Sequence, residues 1–258
     1  MSTSRTQIAS AKRIVIKVGS SSISGENAAK IDALVAALAQ RHASGSEVIL
    51  VSSGAIATGL PLFSFENRPD DLPTSQALAA VGQSRLIARY QEQLEKFGII
   101  AGQVLLTSGD LEADETRANA RRAMERLLEL RVLPIVNEND TVATAEIRFG
   151  DNDRLAALVA VLVEADALVL LSDVDALYTA PPSQPGATRI SEVAFDDDLS
   201  SIEIGGTSTG VGTGGAVTKV SAAKLANAAG IDVLLTSADN VSLALHGENI
   251  GTLFESAK

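Results

Sequence analysis

Along this chain, short runs of Val, Ile and Leu alternate with longer stretches whose apolar residues recur at helical spacing. RIVIKV (13–18), EVILVS (47–52), IIAGQVLLT (99–107), VLPIVN (132–137), ALVLLS (167–172) and IDVLLTS (231–237) are predicted strands. Between them, residues 28–41, 74–96, 113–130, 151–164 and 219–230 carry the pattern of amphipathic helices. Strands separated by helices are joined by crossover connections, so the alternation predicts an α/β fold with a mainly parallel sheet. The strands are nearly continuously apolar, as expected of a sheet covered on both faces, which makes a three-layer αβα sandwich. Two stretches interrupt the rhythm. Residues 180–211, containing PPSQPG, FDDD and SSIEIGGTST, are expected to form a lid or small subdomain, and a short hairpin is expected near 142–149.

Three predicted strands end in small polar residues: VIKVGSSS (15–22), VSSGAIATG (51–59) and VLLSDVDALY (169–178). In an open α/β sheet, ligands bind beyond the carboxyl ends of the strands, so these endings are expected to converge on one crevice. Gly19, Gly54 and the glycines of GTGGAVTK (212–219) allow an anion to approach backbone N–H groups closely. Each glycine alone reads as a tight βα turn; three together, with two lysines, point instead to a polyanion site. Lys17 lies inside a strand between Ile16 and Val18, where burial is costly unless an anion or a sheet edge is at hand. Lys219 stands at the start of its helix, where the dipole disfavours a cation, and a bound polyanion would remove that conflict.

The acidic counterpart is NENDTVATAEIRFGDND (137–153), in which Glu138, Asp140, Glu146, Asp151 and Asp153 fall within 17 residues beside three asparagines. Capping the following helix needs only one of these groups. The surplus points to recognition of an amino group, orientation of lysines, or outer-sphere contacts to Mg²⁺. The pattern GxxxxGK[ST] is absent, which excludes a P-loop enzyme. GVGTGG (210–215), with Asp232 downstream, satisfies a dinucleotide fingerprint, but the segment before it is polar and acidic instead of a buried strand, so it is read as a decoy.

Composition narrows the chemistry further. With no cysteine, disulfides, thiolate zinc sites and cysteine nucleophiles are excluded. A net charge of -11 without a long basic run disfavours nucleic acid. The opening MSTSRTQIASAKR lacks an apolar core, and the longest apolar stretch (155–171) is broken by Glu164 and Asp166, so a cytoplasmic protein without a membrane span is expected.

VIKVGSSS, VSSGAIATG, the NEND…DND block, LLSDVDALY and GTGGAVTK, in this order over nearly the whole chain, resemble the amino acid kinase family, and within it the branch that acts on glutamate. Carbamate, aspartate, acetylglutamate and uridylate kinases share the first Lys-Gly element, and the NEND…DND block argues against them. The resemblance implies ATP-dependent phosphorylation of the γ-carboxylate of L-glutamate to L-glutamyl 5-phosphate, the first step of proline biosynthesis, with Mg²⁺. It implies that Lys17 and Lys219 neutralise the transferring phosphoryl group, that Asp153 holds those lysines, and that Gly19 and Gly54 offer backbone N–H groups. Ser53, Asp140 and Asn152 would hold glutamate. Ser172, Asp173 and Thr213, Gly214, Gly215, Ala216, Val217, Thr218 and Lys219 would line the nucleotide site, with Lys17 reaching it; no direct metal ligand is assigned. Relatives usually have methionine where Ala216 stands. One kinase domain over 1–258 is expected, with a substrate lobe roughly 1–165 and a nucleotide lobe roughly 166–258, and no C-terminal PUA domain, which many relatives carry. A homo-oligomer (dimer or tetramer), functional coupling to glutamyl phosphate reductase, and proline feedback complete the expectations. A non-catalytic amino acid or nucleotide sensor on the same fold, and a nicotinamide oxidoreductase built on GVGTGG, are the alternatives.

Overall fold

A computed structural model describes residues 3–23, 27, 29–65, 69, 71–142, 152–181, 183–197, 199 and 215–257. Helix α1 (Thr3–Ser10) precedes β1 (Arg13–Val18), α2 (Lys30–Ala43), β2 (Glu47–Ser52), the short α3 (Ala55–Gly59) and the long α4 (Leu72–Glu95). Then come β3 (Ala101–Leu106), α5 (Ser108–Glu112), α6 (Asp114–Glu129), β4 (Leu133–Glu138), α7 (Asn152–Leu162) and β5 (Ala167–Ser172). The short strands β6 (Leu177–Tyr178), β7 (Arg189–Ile190) and β8 (Glu192–Val193) lead to α8 (Ala216–Ala228), β9 (Asp232–Ser237), α9 (Val241–Leu245) and β10 (Thr252–Phe254).

Among the described residues, eight strands form one sheet in the order β3-β4-β2-β1-β5-β9-β10-β8. From β3 to β9 all neighbours run parallel; β10 pairs antiparallel with β9, and β8 runs with β10. Side chains alternate between faces with a period of two, and each face has its own core. Val15, Ile49, Val136, Leu168 and Val233 pack with α6, α7 and α8, whereas Ile14, Ile16, Leu50, Ile135 and Val169 pack with α1, α2, α4 and α9. That is the expected three-layer sandwich, with the mainly parallel sheet as its middle layer.

The chain leaves β1 first toward β2 and later returns on the other side of β1 as β5. The sheet therefore has a switch point at β1, and a crevice opens at the carboxyl ends of β2, β1 and β5. Within 180–211 the expectation of a separate subdomain is corrected in part. Leu177–Tyr178 and Arg189–Ile190 form a two-stranded ribbon, but Glu192–Val193 completes the edge of the main sheet, and 200–214 lie outside the described residues. The hairpin expected near 142–149 also falls largely outside them. Among the described residues no helix is long and apolar enough to cross a membrane.

Candidate active site

Lys17 is in the middle of the sheet, paired on one side with Val51 and on the other with Leu170, which removes the edge-strand reading of this residue. Strand alternation puts it on the same face as Val15, toward α7 and α8. There Lys17 Nζ lies 2.6 Å from Asp153 Oδ1, and Lys219 Nζ donates to Asp153 Oδ2 at 2.9 Å. Asp153 is 1% exposed and the two lysines 6% each. Burial by itself would raise the carboxyl pKa, but Lys17 and then Lys219 outweigh it and bring it down to about 2. Asp153 sits in the first turn of α7, where the helix dipole also favours an anion.

Lys219 does not begin its helix, as the sequence pattern predicts, but is its fourth residue, because Gly215 is extended and Ala216–Thr218 already wind into the first turn. This brings Thr218 Oγ1 to the same carboxylate, 3.2 Å from Asp153 Oδ2. The adverse end of the α8 dipole is thus met by a buried anion within the protein itself.

Beyond β1, an added Cβ on Gly19 would stand 3.7 Å from Lys17 Nζ, so the bare glycine keeps the approach to the ammonium open. Gly54 follows β2 at φ 105°, a left-handed conformation that L side chains rarely adopt. Asn152, next to Asp153, reaches over the end of the sheet: its Nδ2 lies 2.8 Å from Ser53 Oγ, 2.9 Å from Ser52 O and 2.9 Å from Asn137 Oδ1. Ser172 is buried at the carboxyl end of β5 with its Oγ donating to Asp173 Oδ1 at 3.0 Å, while Asp173 is exposed. Thr213 and Gly214 lie outside the described residues.

Asp140 is in a different part of the site. It lines a cavity of about 260 Å³ between α4, β3 and β4, together with Glu138, Gln83 and Gln103. Burial, then the neighbouring Glu138, push its pKa up to about 7, so the cavity resists carrying both negative charges. Gln83 joins the cavity to the crevice: its Oε1 accepts from Asn137 Nδ2 at 2.6 Å, and Asn137 in turn accepts from Asn152.

Gln83, Asn137 and Ser52 were not singled out from the sequence. Their signal was faint: Asn137 opens the NEND block and Ser52 closes its strand, but Gln83 is one polar residue among many on a long helix. Helix α4 is also pressed onto α3, since a Cβ on Gly82 would stand 1.8 Å from Ala55 O and one on Gly59 2.1 Å from Leu78 O. The dinucleotide decoy is resolved at Asp232, which is buried at the opposite end of β9, where its Oδ1 accepts from Ser256 N and Oγ.

Chemically, two ammonium groups fixed on one carboxylate at the mouth of a glycine-lined crevice form a cationic centre that needs no rearrangement to meet a developing anion. Among the described residues no group of three or more His, Asp and Glu side chains is placed to hold a metal ion.

A glutamate 5-kinase of Clavibacter michiganensis subsp. michiganensis (strain NCPPB 382) is 69% identical over 251 residues, covering 97% of each chain. One of Leifsonia xyli subsp. xyli (strain CTCB07) is 65% identical over 255 residues, 98% of this chain and 94% of that one. One of Salinispora arenicola (strain CNS-205) is 54% identical over 255 residues, 97% of this chain and 69% of that longer one. In fold, the chain is similar to a carbamate kinase from Giardia lamblia bound to AMP-PNP, with a TM-score of 0.67 at 17% identity over 96% of this chain and 100% of that one. The model of the amino acid kinase family matches residues 12–237, from the residue before β1 to the last of β9. Every strand end that borders the crevice falls inside that match, and the chain belongs to the amino acid kinase family.

Proposed function

We propose that the chain transfers the γ-phosphoryl group of ATP to the side-chain carboxylate of L-glutamate, giving L-glutamyl 5-phosphate at the first step of proline biosynthesis. The observation that carries this reading is the Lys17–Asp153–Lys219 cluster in a chain 69% identical to a glutamate 5-kinase over 97% of both lengths. A glutamate side chain, with an ordinary pKa of about 4.3, is ionised at neutral pH and needs no general base. The obstacle is an anion attacking a more anionic phosphate, so alignment and positive charge dominate the barrier. Lys17 and Lys219 supply that charge, and Asp153 holds both nitrogens in place before the substrates arrive.

Ser53 and Asn152 hold the acceptor carboxylate in this reading, and Asp140, with Glu138, receives the α-ammonium in the cavity beside α4. The substrate lobe is roughly 1–165. The nucleotide lobe, roughly 166–258, contributes Ser172, Asp173 and the run from Thr213 to Lys219. Gly19 and Gly54 present N–H groups toward the transferring phosphoryl. Mg²⁺ shields the phosphate charge when bound. Asp153 has both oxygens engaged by lysines, which fits an ion held by phosphates and water. The protein acts in the cytoplasm as a homo-oligomer and passes its labile acyl phosphate to glutamyl phosphate reductase.

The test is ATP turnover with L-glutamate and Mg²⁺ in the presence of hydroxylamine, which captures an acyl phosphate as the hydroxamate. Glutamate-dependent hydroxamate is expected, with little from aspartate or N-acetylglutamate. ADP without hydroxamate, or nucleotide binding without turnover, would move the function to another acceptor or to sensing.

A further inference from the structure

Ser52, the last residue of β2, faces the opposite side of the sheet from Lys17, toward α4. Its Oγ lies 2.9 Å from the hydroxyl of Tyr90, and both residues are fully buried. The same Oγ donates to Ser53 O at 3.2 Å. A serine hydroxyl carries one proton. Both contacts are satisfied only when Tyr90 donates to Ser52 Oγ and Ser52 donates onward to the Ser53 carbonyl. Burial raises the Tyr90 pKa, which keeps the phenol protonated as that donor.

The direction of this relay matters because of the next atom in the chain. A trans peptide is planar, with its C=O and N–H pointing opposite ways. Drawing the Ser53 carbonyl toward Ser52 and α4 therefore aims the Gly54 N–H away from α4. The preceding peptide is held in the same manner: Ser53 N donates to Val18 O at 3.2 Å, and Ser52 O accepts from Asn152 at 2.9 Å. Gly54 itself, at φ 105°, has no side chain to restrict its peptide, so the lock must come from outside.

We infer that Tyr90 is a positioning residue of this enzyme, acting through Ser52 to fix the direction of the Gly54 N–H at the crevice. The inference rests on the proposed kinase reading, in which that N–H meets the transferring phosphoryl group. Tyr90 touches no substrate. Its effect falls on the transition state and leaves nucleotide binding alone.

The experiment compares Tyr90→Phe, Ser52→Ala and the double variant with the unaltered protein in the hydroxamate assay, with melting temperatures measured alongside. Leu86→Ala, one turn away on the same face of α4, serves as a purely structural control. Expected are a kcat about 5- to 10-fold lower in each single variant, an unchanged KM for ATP, and no further loss in the double variant, as for two groups acting through one bond. Leu86→Ala should lower the melting temperature more and kcat less. Unchanged kcat in Tyr90→Phe, additive losses, or an equal kcat loss in Leu86→Ala would overturn the inference. Absence of hydroxamate from the unaltered protein would instead sink the glutamate kinase reading.

Discussion

Replacing Asp153 with asparagine keeps the shape of the side chain and removes the charge on which two buried lysines are seated. Lys17 and Lys219 approach opposite oxygens at 2.6 and 2.9 Å. At an effective dielectric of about 20, two like charges ~5 Å apart repel by about 3 kcal/mol, and in the variant no carboxylate offsets that repulsion between the lysines. Removing one partner of a buried ion pair typically costs about 3–5 kcal/mol. Asp153→Asn should therefore lose about 3–5 kcal/mol out of the ~5–15 that holds a domain folded, and remain folded at low temperature. Urea unfolding at pH 7 measures this, and the hydroxamate assay should show kcat reduced by at least ~10²-fold. The carboxyl also leaves a mark in pH. Its folded pKa, near 2, lies below the ordinary 3.8, so its stabilisation is complete above about pH 4 and is lost as pH falls toward 2. That segment of the stability curve amounts to about 2 kcal/mol and should vanish in the variant. A variant within about 1 kcal/mol of the unaltered protein, with the acid slope intact, would refute the account of the cluster.

Lys219→Ala should lower kcat by at least ~10²-fold while circular dichroism stays native, since Lys17 still pairs with the Asp153 carboxylate. Gly82→Ala, whose Cβ would stand 1.8 Å from Ala55 O, must push α3 away from α4; a loss of about 3 kcal/mol and a melting point lower by about 5–10 °C are expected by calorimetry. In the proposed role of Asp140, whose pKa is raised to about 7, the carboxyl ionises to receive the ammonium, so KM for glutamate should fall as pH rises from 6 to 8, and Asp140→Asn should abolish that dependence in steady-state kinetics.

Most of the sheet was legible in the sequence because its strands are covered on both faces, so their apolar runs stand out against helical spacing. The convergence of the β1, β2 and β5 endings was legible too, since parallel neighbours bring their carboxyl ends to one edge. What escaped depends on partners far apart in the chain. Tyr90 reads as an ordinary core aromatic until Ser52 is found against its hydroxyl, and Gln83 has no local feature that ties it to Asn137. The antiparallel β10 was missed because three residues are too few to show a period, and β8 because its polar neighbours hide it. Glycines told little individually: Gly54 is required by its backbone angle, whereas Gly82, inside a helix, is required by a neighbouring carbonyl that no sequence pattern reveals.

The three residues of the charged cluster also carry a consequence for biosynthesis of the protein itself. Lys17 leaves the ribosome long before Asp153, and Lys219 follows later still, so no early segment of the nascent chain can close the cluster. Until α7 and β5 have been made, Lys17 lies in a strand that lacks its counter-charge and one of its two neighbours. Such far-separated contacts slow folding and leave half-built sheets open to aggregation. The cluster is therefore completed only late in synthesis, when Lys219 joins the Lys17–Asp153 pair.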